Sequence, residues 1–233
     1  MWQQKPTDYD LAWGAAKNHC DNLKYAGFTD WRLPTSLELL TISNIDRESL
    51  ETNFQLDHTA MLWSSDEDVN PNNNNAWILN GGEYIRSRDY YGLGYPLCVR
   101  GTMPSSTLSS STTSNGDVIV TDNKTGLIWQ KTIPSDSSSF VNALIYCKDL
   151  EYAGYSDWRL PNRNELVSLV NYKKYNPASN FPNMPSEKFW TSSAEGSYDG
   201  LYVDFNDGQI STRALTGTRS NLLRVRCVRG GPN

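Results

Sequence analysis

The chain has 233 residues, 38% of them hydrophobic, with four cysteines and a formal net charge of −5. Counting glycine with the apolar residues gives about 45%, an ordinary globular composition that excludes disorder and collagen-like repeats. No apolar run approaches the length of a membrane helix. The acidic balance argues against nucleic acid as the main partner, because phosphate binding needs a basic face.

The chain reads as an internal duplication. Trp2-Gln3 recurs as Trp129-Gln130, and Cys20 as Cys147. The run from Tyr25 to Pro34 (YAGFTDWRLP) recurs from Tyr152 to Pro161 (YAGYSDWRLP). Glu38-Leu39 recurs as Glu165-Leu166, Trp63-Ser64-Ser65 as Trp190-Thr191-Ser192, and Cys98-Val99-Arg100-Gly101 as Cys227-Val228-Arg229-Gly230. A repeat of this size is a domain rather than a solenoid unit. We place the copies at residues 1–101 and 117–233, with a linker at 102–116, where ten of fifteen residues are Ser or Thr.

In chain order, each copy predicts a short strand at its Trp-Gln, then an amphipathic helix. Ala12, Ala16, Cys20 and Leu23 carry the periodicity in the first copy; Phe140, Ala143, Leu144, Cys147 and Leu150 carry it in the second. Asp8, and Ser137 or Ser138, are the expected N-caps, with Gly27 and Gly154 as left-handed C-terminal caps. The Asp-Trp-Arg-Leu-Pro element is extended, because the residue before proline avoids helix. A second helix follows, opened by Thr35 with Glu38 and by Asn162 with Glu165. Hairpins are expected for 76–79 with 83–86 and for 201–205 with 209–212. The second copy begins with a further strand at Val118-Ile119-Val120, whereas the first begins at its Trp. This predicts that the chain is part of a longer polypeptide and that the first copy has a vacant strand position.

The DWRLP element, the W-[ST]-S element and the terminal C-V-R-G together resemble the Lcl C-terminal domain family, named for a collagen-like adhesin of Legionella. The resemblance covers nearly all of both copies. It implies an α+β architecture of two tandem C-type-lectin-like domains, each with two helices packed on antiparallel strands and one helix-to-last-strand disulfide. It also implies secretion or surface exposure in bacteria and a relation to formylglycine-generating enzymes; the founding adhesin is associated with sulfated glycosaminoglycans. Four cysteines allow three pairings. The duplication selects Cys20 with Cys98 and Cys147 with Cys227, so that each copy closes itself. Disulfides imply an oxidising compartment: periplasm, cell surface or medium.

Arg32, Glu38, Arg159 and Glu165 resemble catalytic material, but their recurrence beside Trp and Pro favours a structural reading. Trp31, Trp158, Trp63 and Trp190 are expected in the core. Function is expected where the copies differ. In the first copy Asp66, Asp68, Asn70 and Asn72 offer oxygens to Ca²⁺ or sugar hydroxyls, and Tyr90, Tyr91 and Tyr95 suit a recognition loop. Residues 1–101 carry fourteen acids and eight bases, a net of −6; residues 117–233 carry twelve acids and thirteen bases, a net of +1. In the second copy Arg213, Arg219, Arg224 and Arg226 are candidates for an anionic glycan, with Arg224 and Arg226 on one strand face. The expected function is a non-catalytic binding module, an adhesin fragment recognising a glycan or a host or matrix protein. The alternatives are a structural stalk and, more remotely, an enzyme. No Ser/His/Asp set repeats, and His19 and His58 occur in the first copy alone.

Overall fold

A computed structural model describes residues 1–43, 60–80, 84–102, 107–215 and 221–231. The chain divides into two compact units, Met1–Met103 with Tyr172–Tyr175, and Pro104–Asn171 with Asn176–Asn233. Both mix helices with antiparallel strands.

In the first unit, α1 (Trp13–Asp21) and α2 (Ser36–Ile42) precede a sheet of β1 (Met61–Glu67), β2 (Asn75–Asn80) and β3 (Tyr84–Asp89), in the order β1-β2-β3. The register sets Trp63 opposite Ile78 and Ile78 opposite Arg86. The core gathers Trp13, Ala16 and Cys20 from α1, Trp31 and Leu33 from the DWRLP element, and Trp63, Ala76 and Ile78 from the sheet.

In the second unit β4 (Leu108–Thr112), β5 (Val118–Asp122) and β6 (Ile128–Gln130) join β10 (Val228–Arg229) in the order β10-β6-β5-β4. Then come α3 (Phe140–Lys148), α4 (Arg163–Val167) and the sheet β7 (Lys188–Glu195), β8 (Asp199–Asp204) and β9 (Ile210–Ala214). Its core repeats the pattern with Ala143, Cys147, Trp158, Leu160 and Trp190.

The expected disulfides are formed: Cys20–Cys98 and Cys147–Cys227, 78 and 80 residues apart. Each ties the first helix of a unit to the residue before Val99 or Val228. That valine bridges two segments at once, Trp2 and Arg32 in the first unit, Trp129 and Arg159 in the second. The repeated glutamine completes the junction: the Gln3 side-chain oxygen accepts from the Cys98 N–H at 3.1 Å, and that of Gln130 from Cys227 at 3.3 Å.

Three local expectations are corrected. Part of the Ser/Thr-rich linker, Leu108–Thr112, is a strand paired along its length with β5; backbone hydrogen bonding along the strand outweighs a linker-like composition. Asp8 does not cap α1. Leu11 exchanges backbone hydrogen bonds with Gly94, so the chain stays extended until Ala12, which has no side-chain cap; in α3 the cap is Ser139, one residue beyond the expected pair. Gly27 and Gly154 do have positive φ, but the helices end earlier, at Asp21 and Lys148. Ala26-Gly27 and Ala153-Gly154 instead form tight turns with φ positive at both central residues, closing Tyr25 on Phe28 and Tyr152 on Tyr155. The two capping boxes, Thr35 with Glu38 and Asn162 with Glu165, are present as expected.

Candidate functional site

The polar groups shared by the two copies are consumed internally. Arg32 donates to both carboxylate oxygens of Glu38 at 2.8 and 2.7 Å and to the Gly101 carbonyl at 2.7 Å. Arg159 repeats this with Glu165 at 2.7 and 2.6 Å and with Gly230 at 3.0 Å. Burial works against ionisation of Glu38, but hydrogen bonds from Arg32 and Thr35 outweigh it and hold the carboxyl below its usual range. Arg100 and Arg229 pair with Asp30 and Asp157 while lying over the Phe28 and Tyr155 rings, each 3.6 Å from the centroid. The Trp63 indole donates to the Leu11 carbonyl and that of Trp190 to Ser138. Trp31, Trp158, Trp63 and Trp190 are all 3% exposed or less. These groups build a frame.

The divergent loop of the first copy behaves differently from its sequence expectation. Asp66 accepts from the Ser36 N–H at 2.7 Å, capping the start of α2, and burial pushes its carboxyl pKa up. Asp68 is buried; it accepts from the Asn70 N–H, the Asn73 side-chain amide and the Ser87 hydroxyl. The Asn70 side chain accepts from the Asn72 N–H. The oxygens that were expected to meet Ca²⁺ or a sugar therefore shape the loop itself. They do not fit a calcium site, and among the described residues no group of three or more His, Cys, Asp or Glu is placed to hold a metal.

The tyrosine loop is fixed by its backbone. Tyr90 donates to the Asn74 carbonyl and accepts from the Trp13 N–H, and its ring stacks on Trp13 at 4.9 Å. Tyr95 donates to Met61 and accepts from Trp63. Between them, Tyr91 is 86% exposed, its N–H held by the Asp89 carboxylate at 2.8 Å. Of the three tyrosines, Tyr91 presents its ring to solvent.

The described arginines of the second copy's expected cluster each have partners within the fold. Arg213 donates to the Asn221 side chain at 3.2 Å. Arg219 lies outside the described residues. Arg224 pairs with Glu187 and donates to the Ser135 carbonyl. Arg226 is 1% exposed and donates to the carbonyls of Gln130 and Lys131 at 2.6 and 3.0 Å, its guanidinium 4.1 Å from the Phe181 ring centroid. Burial pushes its pKa down to about 9. Val225 and Arg226 are both buried: the segment is covered on both sides, and alternation does not separate core from solvent there.

Two arginines that the linear sequence does not single out do share a face. Arg86 and Arg88 lie half-buried on β3. Arg86 donates to the Asn80 side-chain oxygen at 3.0 Å; Arg86 and Arg88 reach the Met61 sulfur at 3.7 and 3.3 Å. Among the described residues neither has a carboxylate partner. Their two-residue spacing was the available signal, but its meaning depends on register across the hairpin.

Sequence comparison matches the Lcl C-terminal domain over residues 1–100 and again over 118–229. The chain belongs to the Lcl C-terminal domain family. The two matched segments are the two copies, each with its own disulfide. No curated protein matches the chain significantly. The Lcl C-terminal domain is not a known catalytic family. Among the described residues no helix is long and apolar enough to cross a membrane. The paired cysteines point to an extracytoplasmic, oxidising setting.

Proposed function

We propose that this Lcl C-terminal domain pair is a secreted or surface-exposed bacterial binding module, part of an adhesin, that recognises a glycan. The glycan is free or carried on a host or matrix protein. The fold is taken as C-type-lectin-like on the order of helices, strands and disulfide in each unit. The observation that carries the reading is Tyr91: an aromatic ring left in solvent on a loop whose backbone is pinned on both sides. A fixed tyrosine offers contact area at little entropic cost and stacks on the apolar face of a sugar. The repeated Arg and Glu pairs supply no free acid, base or nucleophile, which favours binding over catalysis. A glycan array with and without Ca²⁺, at two salt concentrations, tests the reading. Binding lost in Tyr91→Ala supports it; silence under every condition removes it.

An assembly role has one observation in its favour. On α3, Val141, Leu144 and Ile145 are exposed at helical spacing, where the first copy has Gly14, Lys17 and Asn18. The occupant this reading requires is a second copy of the chain, whose second half carries a net charge of only +1 and resists self-association weakly. Sedimentation of the wild type and of Leu144→Lys decides it; a monomer in both removes it.

A further inference from the structure

The two hairpins can be compared position by position, because their registers correspond. Trp63, Ile78 and Arg86 lie in line across β1, β2 and β3, as Trp190, Tyr202 and Ser211 do across β7, β8 and β9. One step along, Met61 pairs with Asn80 where Lys188 pairs with Asp204, and Ala76 pairs with Arg88 where Gly200 pairs with Arg213. The second copy thus carries its own carboxylate at this place. Asp204 lies 3.6 Å from the Lys188 ammonium, which also sits over the Tyr202 ring.

The first copy has exchanged that set. Lysine is replaced by Met61, the carboxylate by the Asn80 amide, and serine by Arg86. Two guanidinium groups converge on one thioether, a weak acceptor, and one neutral amide oxygen, and among the described residues the buried Arg88 Nε has no hydrogen-bond partner. Guanidinium groups held half-buried are normally matched by an anion in forked geometry. The neighbourhood also touches the aromatic loop: a β-carbon on Gly92 would stand 2.5 Å from Arg88 Nε, and Gly92 follows Tyr91 directly.

We propose that Arg86 and Arg88 form a carboxylate-binding site for an acidic sugar, with the ligand's carboxylate taking the part that Asp204 plays in the second copy. This rests on the glycan reading above and narrows it to saccharides bearing a uronate-type carboxylate. The carboxylate is held by the arginines on β3, and the sugar ring beside it meets Tyr91. Asn80 adds its amide without adding a competing charge.

The test uses the full chain and two probes, a glucuronate-terminated oligosaccharide and its carboxyl-reduced, glucose-terminated counterpart. Binding is measured by calorimetry, with thermal melting and non-reducing mass confirming that each variant is folded. Arg86→Ser and Asn80→Asp each install the second copy's residue. Each is expected to weaken glucuronate binding by about tenfold or more, the loss of a charge-assisted contact, and so is carboxyl reduction of the probe. Wild-type affinity in both folded variants, or equal affinity for the two probes, overturns the site. If both probes bind and only Tyr91→Ala weakens them, the carboxylate site falls while the glycan reading stands. If the arginine-site variants lose the acidic probe and Tyr91→Ala does not, the site stands and the tyrosine platform falls. No binding of either probe overturns both.

Discussion

Arg32 grips Glu38 with two parallel hydrogen bonds, and Arg159 grips Glu165 in the same way 127 positions later. In each case the carboxylate also accepts from the backbone N–H that opens the next helix, Thr35 in one copy and Asn162 in the other. The DWRLP arginine thus fixes the glutamate that caps a helix.

Removing one partner strands the other. Arg32→Ala leaves Glu38, whose side chain is only 8% exposed, without its cation. The expected cost is about 2 kcal/mol, measured by urea unfolding. Glu38 is depressed below its ordinary 4.5, so its contribution to stability is present above that value. It is lost as the pH falls through the lower folded value. Melting temperatures followed from pH 6 downward should drop below about pH 4.5, and Glu38→Gln should flatten part of that drop.

Arg226 bridges two backbone carbonyls from beneath an aromatic ring. Arg226→Ala leaves Gln130 and Lys131 unmet and opens a cavity, with an expected loss of about 3 kcal/mol or more. Arg226→Met keeps the volume and should cost less. Urea unfolding of both variants checks this; an alanine variant as stable as wild type would contradict a load-carrying role for the buried guanidinium.

Gly94 and Gly200 have no room for a methyl group. A β-carbon at Gly94 would stand 2.8 Å from Ile78 and 3.0 Å from the Trp63 indole nitrogen; at Gly200 it would stand 2.7 Å from Leu215 and 2.9 Å from Phe140. Either Gly→Ala change should cost about 1–3 kcal/mol by overpacking. Gly92→Ala is crowded too: its β-carbon would stand 2.5 Å from Arg88 Nε and 3.0 Å from the Asp89 carbonyl, so it should also lower the melting temperature.

Replacing Cys20 and Cys98 together by serine should destabilise the first unit by about 2–5 kcal/mol. Reduction of wild type with dithiothreitol should reproduce that loss and add the loss of Cys147–Cys227 in the second unit. Calorimetry of the serine variant, with and without reductant, checks it.

Much of the fold was legible in the sequence because duplication prints each structural requirement twice. The Cys pairings, the buried tryptophans and the Thr35 and Asn162 capping boxes all follow from positions that recur. What misled was composition read without pairing. Ser109 to Thr112 looked like tether, yet a strand is made by backbone bonds to β5 that side chains do not announce. Arg224 and Arg226 looked like a surface pair, but whether a strand face meets solvent depends on what covers it. Asp66 and Asp68 looked like ligands, and their oxygens were taken by Ser36, Asn70, Asn73 and Ser87. The candidate site was least legible of all. Arg86 and Arg88 gain significance only beside Lys188, Asp204 and Ser211, and that correspondence exists in the strand register rather than in the linear order.

The placement of the two sulfur bridges has a further effect. Each joins a unit's first helix to the residue just before Val99 or Val228, so every loop between them lies inside a covalent ring. A protease that cuts once between Cys20 and Cys98, or once between Cys147 and Cys227, opens the ring without freeing a fragment. Outside the cytoplasm, where such cuts are frequent, a nicked unit stays in one piece and comes apart only when reduced.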